Sequence, residues 1–589
     1  MAESKWSQLR KVVDTVREDL REGYQQATDP GNPDHSPRMA LRIGVRCQKA
    51  GDIEGACAAY RTALRSEDPD CGPQAAYNLA GLLNRLNDPD GAQTAYRLAV
   101  DSGHLTAAPM AAVKLGLLLA DSGDVAGAAD ALRRAIAVGS ADLAAEAACH
   151  LGILLAETDD QHGQEARARL RSAVASHHPQ WAPRAAANLG ALLRRDGDIK
   201  GARDAYRIAI DSGHQDYAPM AQFNLGNLLD ETGDSVGART AYQDAIGSGH
   251  AQWAEKAAIN LGVMLGTNDA DAAAAAFQYA IDSGDPDVAP RAARNLGHLL
   301  ERAGDLPGAR AAFQSAIDSG HADQAPKALD NLASLLEAQG DTAGAQTAYR
   351  RAIVSGHVDV VPMAAYNLGR LLKAAGDRED AVTAYQQAIE SGHREHAPRA
   401  ALHLGVLRQE DGDTEGARSA YQFAIASGRQ DTATRAGLAL GLLLREIDDP
   451  TGAEAQFRLV MDSRHPKLAP MAALRLADVL RSAGDSVGAH LALATACSYP
   501  DYTRAPQQAF DFGLLLHKEG DLAGARAAYQ LVIDTGHQDL APRAAVNLGL
   551  LLDEAGEPEA ARAAFQLAID SGHATHAARA KQAIKYARP

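Results

Sequence analysis

The chain has 589 residues and a formal net charge of −17 at pH 7, and 46% of its residues are hydrophobic but only 5% aromatic. This charge argues against nucleic-acid and anionic-membrane partners, because binding to phosphates requires a basic face. The five cysteines include no Cys-x-x-Cys pair, which indicates a reducing compartment. We find neither a signal peptide nor an apolar run long enough to span a membrane, so we expect a cytoplasmic protein.

The N-terminal residues 1–28 are predicted to form a separate amphipathic helix, followed by a Pro-, Gly- and Asp-rich linker at 29–36. On a helix, one face would carry the apolar residues Trp6, Leu9, Val13, Val16, Leu20 and Tyr24. Such a helix either caps the first repeat that follows or pairs with a second copy of the chain to give a homo-oligomer. Both interpretations stay open.

A Gly-Asp pair, or a close variant of it, recurs along the rest of the chain. The spacing is 36 residues apart from one interval of 38 and one of 35, which makes fifteen units over residues 37–573. The first residues of these pairs are Gly51, Asn87, Gly123, Asp159, Gly197, Gly233, Asn268, Gly304, Gly340, Gly376, Gly412, Asp448, Gly484, Gly520 and Gly556.

Each unit is predicted to form two helices. Apolar and small residues recur at three- and four-residue intervals on both sides of the Gly-Asp pair, which is the helical period. The glycine can end one helix in the left-handed conformation, and the aspartate can accept backbone N–H bonds at the start of the next. A helix end beside a helix start produces a hairpin, and such hairpins bury their apolar faces only by stacking. Residues 574–589 are predicted to be a C-terminal capping helix.

The order Asn-Leu-Gly, Gly-Asp, Ala, Tyr and Ala-Ile within one unit resembles the tetratricopeptide repeat (TPR), with two extra residues before the next unit. The resemblance implies an all-α protein, an α-α superhelical solenoid of about fifteen 36-residue TPR-like hairpins. The pattern breaks near Asp159 to His162, near Asn268 and at Cys497 to Pro500, which are candidate kinks. The composition, rich in Ala, Gly, Arg and Asp, resembles that of proteins from high-GC bacteria such as actinomycetes.

The motifs that suggest catalysis or metal binding have better structural explanations. Ser235 and Ser486 lie in Gly-x-Ser-x-Gly sequences, but these fall on the hairpin turn and no strand precedes them. Eight histidines follow Ser-Gly or Thr-Gly, and equivalent points on stacked helices lie about 10 Å apart, too far to share one metal ion. We expect these histidines to bond the nearby loop, and we predict no enzyme activity, no metal and no cofactor. The eight are His104, His214, His250, His321, His357, His393, His537 and His573.

The asparagine of Asn-Leu-Gly is the most informative polar residue. An amide side chain offers both a donor and an acceptor, so a row of amides could hold an extended peptide backbone. The series resembles the asparagine ladders of O-GlcNAc transferase and importin alpha, which bind extended peptides. Alternatively, asparagine serves helix packing alone, and the sequence does not decide between the two. The series is Asn78, Asn188, Asn224, Asn260, Asn295, Asn331, Asn367 and Asn547.

Residues around this series vary strongly in chemistry, as expected of a surface that selects a partner. We therefore predict a non-catalytic scaffold or adaptor that holds a protein or extended peptide in the concave groove. Two alternatives are a regulatory subunit of a separate enzyme and a self-assembling structural protein. The candidates for groove specificity are Arg184, Met220, Phe223, Asn227, Arg291, Arg294, His298, Lys327, Met363, Tyr366, Arg370 and Arg399.

Overall fold

A computed structural model of the protein describes residues 36–66, 68–158, 162–499 and 501–586. All regular secondary structure in these ranges is helical, which confirms the prediction of an all-α fold built from helix pairs. The predicted N-terminal helix at 1–28 and most of the linker lie outside the described residues. None of the helices in the described ranges is long and apolar enough to cross a lipid bilayer.

The chain divides into two compact units, with the boundary in the sequence between Gly304 and Asp305. Odd-numbered helices are the first (A) helices of the repeats and even-numbered helices up to α30 are the second (B) helices. The helices of unit 1 are α1 (Pro37–Ala50), α2 (Ile53–Arg65), α3 (Cys71–Arg85), α4 (Pro89–Asp101), α5 (Ala107–Asp121), α6 (Val125–Val138), α7 (Ala141–Glu157), α8 (Gly163–Ala175), α9 (Trp181–Arg195), α10 (Ile199–Asp211), α11 (Tyr217–Glu231), α12 (Ser235–Gly247), α13 (Ala251–Leu265), α14 (Ala270–Asp282) and α15 (Val288–Ala303), with a 3-10 helix at Gly266–Asp269.

Unit 2 begins with a B helix and continues in the same alternation. Its helices are α16 (Leu306–Asp318), α17 (Gln324–Ala338), α18 (Thr342–Val354), α19 (Val361–Ala375), α20 (Arg378–Glu390), α21 (His396–Glu410), α22 (Thr414–Ala426), α23 (Gln430–Glu446), α24 (Pro450–Asp462), α25 (Leu468–Ser482), α26 (Ser486–Cys497), α27 (Ala505–Glu519), α28 (Leu522–Asp534), α29 (Leu540–Glu554), α30 (Pro558–Asp570) and α31 (Ala574–Tyr586). The last helix packs against α29 and α30 in the position of a further A helix. Its role as a cap stays a prediction.

The Gly-Asp pair ends one helix and starts the next, as predicted. Gly51 adopts φ +79° and its N–H donates to the carbonyl of Gln48 at the end of α1. The Asp52 carboxylate then accepts the N–H of Gly55 at 3.0 Å, which satisfies a free backbone donor of α2. The same aspartate bond occurs at Asp88, Asp124, Asp198, Asp234, Asp305, Asp341, Asp413, Asp449, Asp485 and Asp521.

A glycine in the A helix lets the two helices of a hairpin approach closely. In α9, a Cβ atom on Gly190 would lie 2.5 Å from the ring of Tyr206, which is fully buried in α10. Gly369 and Tyr385 repeat this contact in unit 2 at 2.6 Å. Because the interior is densely packed, a larger side chain would force the tyrosine ring to move.

Where a Ser-Gly-His or Thr-Gly-His sequence follows a B helix, it ends that helix and caps the next A helix. The Ser212 hydroxyl donates to the carbonyl of Ala209, and Nδ1 of His214 accepts the N–H of Asp216 at 3.1 Å. Most of the eight histidines bond the loop in this way, which confirms the structural interpretation of the series: His104, His214, His321, His357, His393, His537 and His573. His250 departs from it, because its Nδ1 is buried without a hydrogen-bond partner.

The other ring nitrogen of four of these histidines, His104, His250, His357 and His573, faces an aspartate of the preceding repeat. Nε2 of His357 lies 3.0 Å from a carboxylate oxygen of Asp323. His573 and Asp539 are 3.5 Å apart in the same arrangement. These four histidines therefore connect neighbouring loops, and the described part of the chain contains no group of three metal-ligating side chains.

The irregular repeats use other residues at the turns. Asn87 and Asp448 adopt positive φ in place of glycine, at 59° and 60°. The repeat spacing predicts a turn at Asn268, but the positive φ occurs at Gly266, where a 3-10 helix begins, because a glycine adopts that conformation without strain. Residues 159–161 and Pro500, near the other two predicted kinks, lie outside the described residues.

Successive A helices lie closer together than successive B helices. In unit 1 each A helix packs against the next A helix, whereas no comparable contact joins neighbouring B helices among its described residues. In unit 2 the same A-to-A contacts run from α19 to α31, and α26 and α28 are the B helices that also touch. Within each unit the A helices therefore line the inner side of the stack, and their exposed face is called the inner face below.

Candidate functional site

The inner face carries the predicted asparagine series. The eight asparagines are partly buried at equivalent positions of their A helices, two residues before the glycine that contacts the B helix or its alanine equivalent. In unit 1, Asn188, Asn224, Asn260 and Asn295 lie on α9, α11, α13 and α15, each of which contacts the next. The structure thus places these four amides in one row.

Some of these amides also bond within the protein. Nδ2 of Asn188 donates to the carbonyl of Arg184 one turn earlier, at 2.8 Å. Nδ2 of Asn260 donates to Oδ1 of Asn227 at 2.7 Å, and the hydroxyl of Tyr242 donates to the same oxygen at 2.7 Å. Asn227, predicted as a specificity residue, therefore links two A helices and a B helix.

The other amides have fewer internal partners. Oδ1 of Asn331 is buried without a donor, and Asn547 lies beside the buried Tyr529. No side-chain hydrogen bond within the described ranges engages the remaining members of the series: Asn78, Asn224, Asn295 and Asn367. Internal bonding thus accounts for part of the asparagine row, and peptide binding by the row stays a prediction.

The predicted specificity residues of unit 1 lie on the same face but differ in exposure. Met220 and Phe223 are half-buried on α11, and the Phe223 ring packs 5.5 Å from the ring of Trp253. Arg291 is exposed on α15, whereas Arg294 is half-buried. His298, also half-buried, has its Nδ1 3.6 Å from the Glu301 carboxylate.

In unit 2 the predicted residues are more tightly engaged. Nζ of Lys327 donates to Asp323 at 2.6 Å, and Arg370 forms an ion pair with Glu337. Met363 is half-buried on α19.

Tyr366 is buried below the inner face rather than displayed on it. Its hydroxyl lies 3.2 Å from Nε2 of His403, and the guanidinium of Arg399 lies 5.2 Å from the centre of its ring. Tyr366 therefore packs between α19 and α21, beneath the inner face.

An aromatic position at the start of the A helices was not among the predicted site residues. Trp181, Tyr217 and Trp253 occupy equivalent places in three successive repeats, two residues before the position that usually holds proline. All three side chains are half-buried. Their recurrence at a constant repeat position was visible in the sequence and could have identified them.

Burial shifts the pKa of two titratable groups on the inner face of unit 1. The pKa of His150, which takes the asparagine position in α7, is lowered to about 4 by burial and further by Arg184 and Lys114. Burial also raises the pKa of Tyr217, which Arg184 opposes. Arg184 thus acts on side chains of both neighbouring A helices.

In unit 2, burial acts on a carboxylate with no partner. Asp330 on α17 is 5% exposed, its Oδ1 has no hydrogen-bond donor, and burial raises its pKa to about 6. The equivalent positions in later repeats hold Leu402 and Leu438. Asp330 is therefore an acidic residue at a buried position that holds leucine in these later repeats.

The Gly-x-Ser-x-Gly motifs have the geometry of hairpin turns. Ser235 and Ser486 are the first residues of α12 and α26, directly after a capping aspartate. Ile199 and Thr414 take the same place in other repeats. Neither serine is preceded by a strand in the described ranges, so the geometry required of a hydrolase nucleophile is missing there.

Family models match most of this architecture. A model described as a tetratricopeptide repeat-like domain matches residues 74–230 and 408–550, together 300 of the 589 residues. Two further models, each described as a tetratricopeptide repeat, match residues 265–328 and 366–432, and residues 326–351 and 542–566. No curated protein matches.

Solved structures similar to this chain are distant. A protective antigen of uropathogenic Escherichia coli with an SLR fold is 18% identical, with 79% of this chain and 96% of that chain covered and a TM-score of 0.37. PilF of Pseudomonas aeruginosa is 18% identical over 36% of this chain and 90% of its own, with a TM-score of 0.29. A fragment of MamA from Desulfovibrio magneticus is 21% identical over 31% of this chain and 98% of that chain, with a TM-score of 0.26.

The family is therefore established by the sequence models and by the paired helices together. Consecutive helix pairs run through the described parts of the matched ranges. Proteins built from such repeats generally mediate protein–protein interaction and generally lack catalytic activity. The chain belongs to the family of tetratricopeptide repeat-like proteins.

Proposed function

We propose that this protein is a non-catalytic scaffold that holds an extended segment of a protein partner along the inner face of unit 1. The observation that supports the proposal most directly is the row formed by Asn188, Asn224, Asn260 and Asn295 on four A helices in mutual contact. An amide can bond one peptide unit without reading the side chain beside it.

The spacing of the row suits an extended peptide. Packed helices lie about 8–10 Å apart. An extended chain advances about 3.3 Å per residue, so one repeat corresponds to about three residues of the partner. Every third peptide unit would then meet an asparagine, and the side chains between would meet the variable residues of the inner face.

The test is selection of 12-residue peptides from a randomised display library on the full chain, followed by fluorescence anisotropy with the selected sequences. Replacement of all four asparagines by alanine should weaken binding at least tenfold, because each amide contributes about 0.5–1.5 kcal/mol. The far-UV circular dichroism spectrum should stay unchanged.

A matched control removes four exposed amides from B helices, at Gln243, Gln278, Gln387 and Gln422. This variant should bind as the wild type does. Failure to select any peptide, or equal affinity of the asparagine variant and the wild type, would refute the proposal. No feature of the described residues favours the regulatory or self-assembling alternatives, which stay predictions.

A further inference from the structure

Three neighbouring A helices of unit 1 display an aromatic and cationic surface that the asparagine row does not explain. We call it the aromatic–cation track, formed by Trp181, Arg184, Tyr217, Met220, Trp253 and Lys256. At the aromatic position α3, α5, α7 and α15 carry only small or aliphatic residues, namely Cys71, Ala107, Leu143 and Val288. The aromatic residues are therefore specific to three successive repeats.

The two cations of the track lie against aromatic rings. The guanidinium carbon of Arg184 is 5.8 Å from the centre of the Trp181 ring, and Nζ of Lys256 is 4.7 Å from that of Trp253. Such contacts orient a cation without neutralising its charge. Arg184 and Lys256 each keep a formal charge at the inner face.

Neither cation has an acidic partner within 4 Å among the described residues. The residues four positions earlier are Gln180 and Gln252, so an ion pair along the helix cannot form. The neighbouring Glu255 is only 8% exposed. The track is consequently a basic surface within a chain whose net charge is −17.

The acidic residues nearby are engaged elsewhere. Glu146, which takes the place of Arg184 in α7, pairs with Lys114 at 3.4 Å. Asp216 faces His250 of the next loop at 3.7 Å. Asp198 and Asp234 cap B helices at the hairpin turns. These carboxylates thus have other partners, although Asp216 directly precedes Tyr217 and adds to the rise in the pKa of that residue.

We infer that the aromatic–cation track selects an acidic extended protein segment. This inference rests on the proposed function and adds the chemical class of the partner. Arg184 and Lys256 lie two repeats apart, about 20 Å, so they would meet carboxylates about six residues apart. Apolar side chains of the segment would contact the three aromatic rings and Met220. Asn188, Asn224 and Asn260 would hold its backbone.

A single-stranded nucleic acid also combines negative charge with groups that stack on aromatic rings. The geometry favours the peptide, because Met220 separates the two cations and leaves a phosphate backbone without a basic residue over the middle repeat. Phosphates repeat at every nucleotide and require a continuous basic groove. An oligonucleotide is therefore included in the test.

The test measures fluorescence anisotropy of labelled probes with the full chain. The probes are four repeats of Glu-Leu-Ser, the same peptide with Lys or with Gln in place of Glu, and a thymidylate 12-mer. The wild type should bind the Glu peptide at least tenfold more tightly than the Lys and Gln peptides and the oligonucleotide. Affinity should fall as the salt concentration rises.

The paired variants are Arg184→Glu with Lys256→Glu, and Lys200→Glu with Arg207→Glu on the exposed side of α10. Both change the net charge equally, but only the first should weaken binding of the Glu peptide at least tenfold. The inference would be overturned by equal binding of the Glu and Gln peptides, or by tighter binding of the Lys peptide or of the oligonucleotide. It would also be overturned if the Glu peptide does not bind at about 1 mM, the weakest affinity of interest.

Failure of the inference and failure of the proposed function are distinguishable. If display selects peptides that depend on the asparagine row but are neutral or basic, the proposed function stands and the acidic preference is wrong. If display selects no peptide at all, both are wrong.

Discussion

The two units share one scaffold but use their inner faces differently. In unit 1, Arg184 and Lys256 have a glutamine four residues earlier and no acidic partner among the described residues. At the same repeat position in unit 2, three basic residues pair with an acid four residues earlier: Lys327 with Asp323, Arg399 with Glu395 and Arg435 with Asp431. Arg543 at this position instead lies 4.6 Å from the centre of the Phe510 ring. The residue four positions earlier thus removes the ion pair within the helix at Arg184 and Lys256 and allows it at Lys327, Arg399 and Arg435.

The aromatic position differs in the same direction. Trp181, Tyr217 and Trp253 of unit 1 correspond to polar, aliphatic or smaller residues in unit 2, for example Gln324, Val360, His396 and Thr432. The helix caps, the glycine-to-tyrosine contact and the histidine-to-aspartate contact recur in both units. Recognition therefore depends on a few positions of a repeat whose remaining residues maintain the fold.

The largest expected change in stability concerns the glycine-to-tyrosine contact that both units share. Gly190→Leu in unit 1 and Gly369→Leu in unit 2 would drive a side chain into the buried ring of Tyr206 or Tyr385. Each substitution should lower the free energy of unfolding by about 3 kcal/mol, since overpacking a core forces the backbone to shift. Leucine is the better probe because alanine occurs naturally here, as at Ala333.

Urea titration followed by circular dichroism of the full chain measures this effect. Ala191→Leu and Ala374→Leu place the same side chain at exposed positions of α9 and α19 and should leave the midpoint unchanged. A loss in one unit only would contradict the view that both are built on the same close contact.

The next largest effect is a pH-dependent contribution of Asp330 to the stability of unit 2. Burial raises the pKa of Asp330 to about 6, so the folded state of unit 2 prefers the protonated form. Stability from this group is present in acid and is lost as the pH rises through about 6. Asp330→Leu, which copies Leu402, should stabilise the protein by about 2 kcal/mol at pH 8 and by less at pH 4.

Thermal unfolding of the variant and the wild type at both pH values provides the measurement. Asp359→Asn, an exposed loop position near α19, serves as the control and should change neither melting temperature. A destabilising effect of Asp330→Leu at pH 8 would mean that the carboxylate has a partner in solution.

The smallest effect has the opposite sign in unit 1. The pKa of His150 is lowered to about 4, so the folded state prefers the neutral ring. Stability from this group is present above the unfolded pKa of about 6.5 and is lost as the pH falls toward 4. His150→Asn restores the repeat consensus and should reduce the loss of stability between pH 7 and pH 5 by about 1 kcal/mol.

Comparison with His403→Asn on α21 sharpens this prediction. His403 takes the same repeat position in unit 2, and its pKa is also lowered by burial. Both variants should become less sensitive to acid. A His150 variant as acid-sensitive as the wild type would contradict the assignment of a buried neutral ring.

Much of the fold was predictable because each repeat marks its own helix ends. Gly51 predicts the end of one helix and Asp52 the start of the next, and both residues cap helices in this way in the structure. The turn beside Asn268 was less predictable, since Gly266 offers an alternative left-handed position two residues earlier.

The site was predictable only in part. The recurrence of Asn224 and Asn260 identified a row of amides, but the bond from Asn260 to Asn227 depends on side-chain distances between two helices. The engagement of Tyr366 with His403 is likewise a contact between helices that repeat spacing alone does not specify. The unpartnered charge of Arg184 required knowledge of every neighbouring acid.

Photo-crosslinking tests the central claim, that the inner face of the A helices is the working surface, most directly. A Glu-Leu-Ser peptide with benzophenone in place of one leucine would be bound to the full chain, irradiated, and mapped by mass spectrometry. We predict crosslinks on α9, α11 and α13. Crosslinks concentrated on the B helices α10 and α12, or on the hairpin turns between them, would contradict the account.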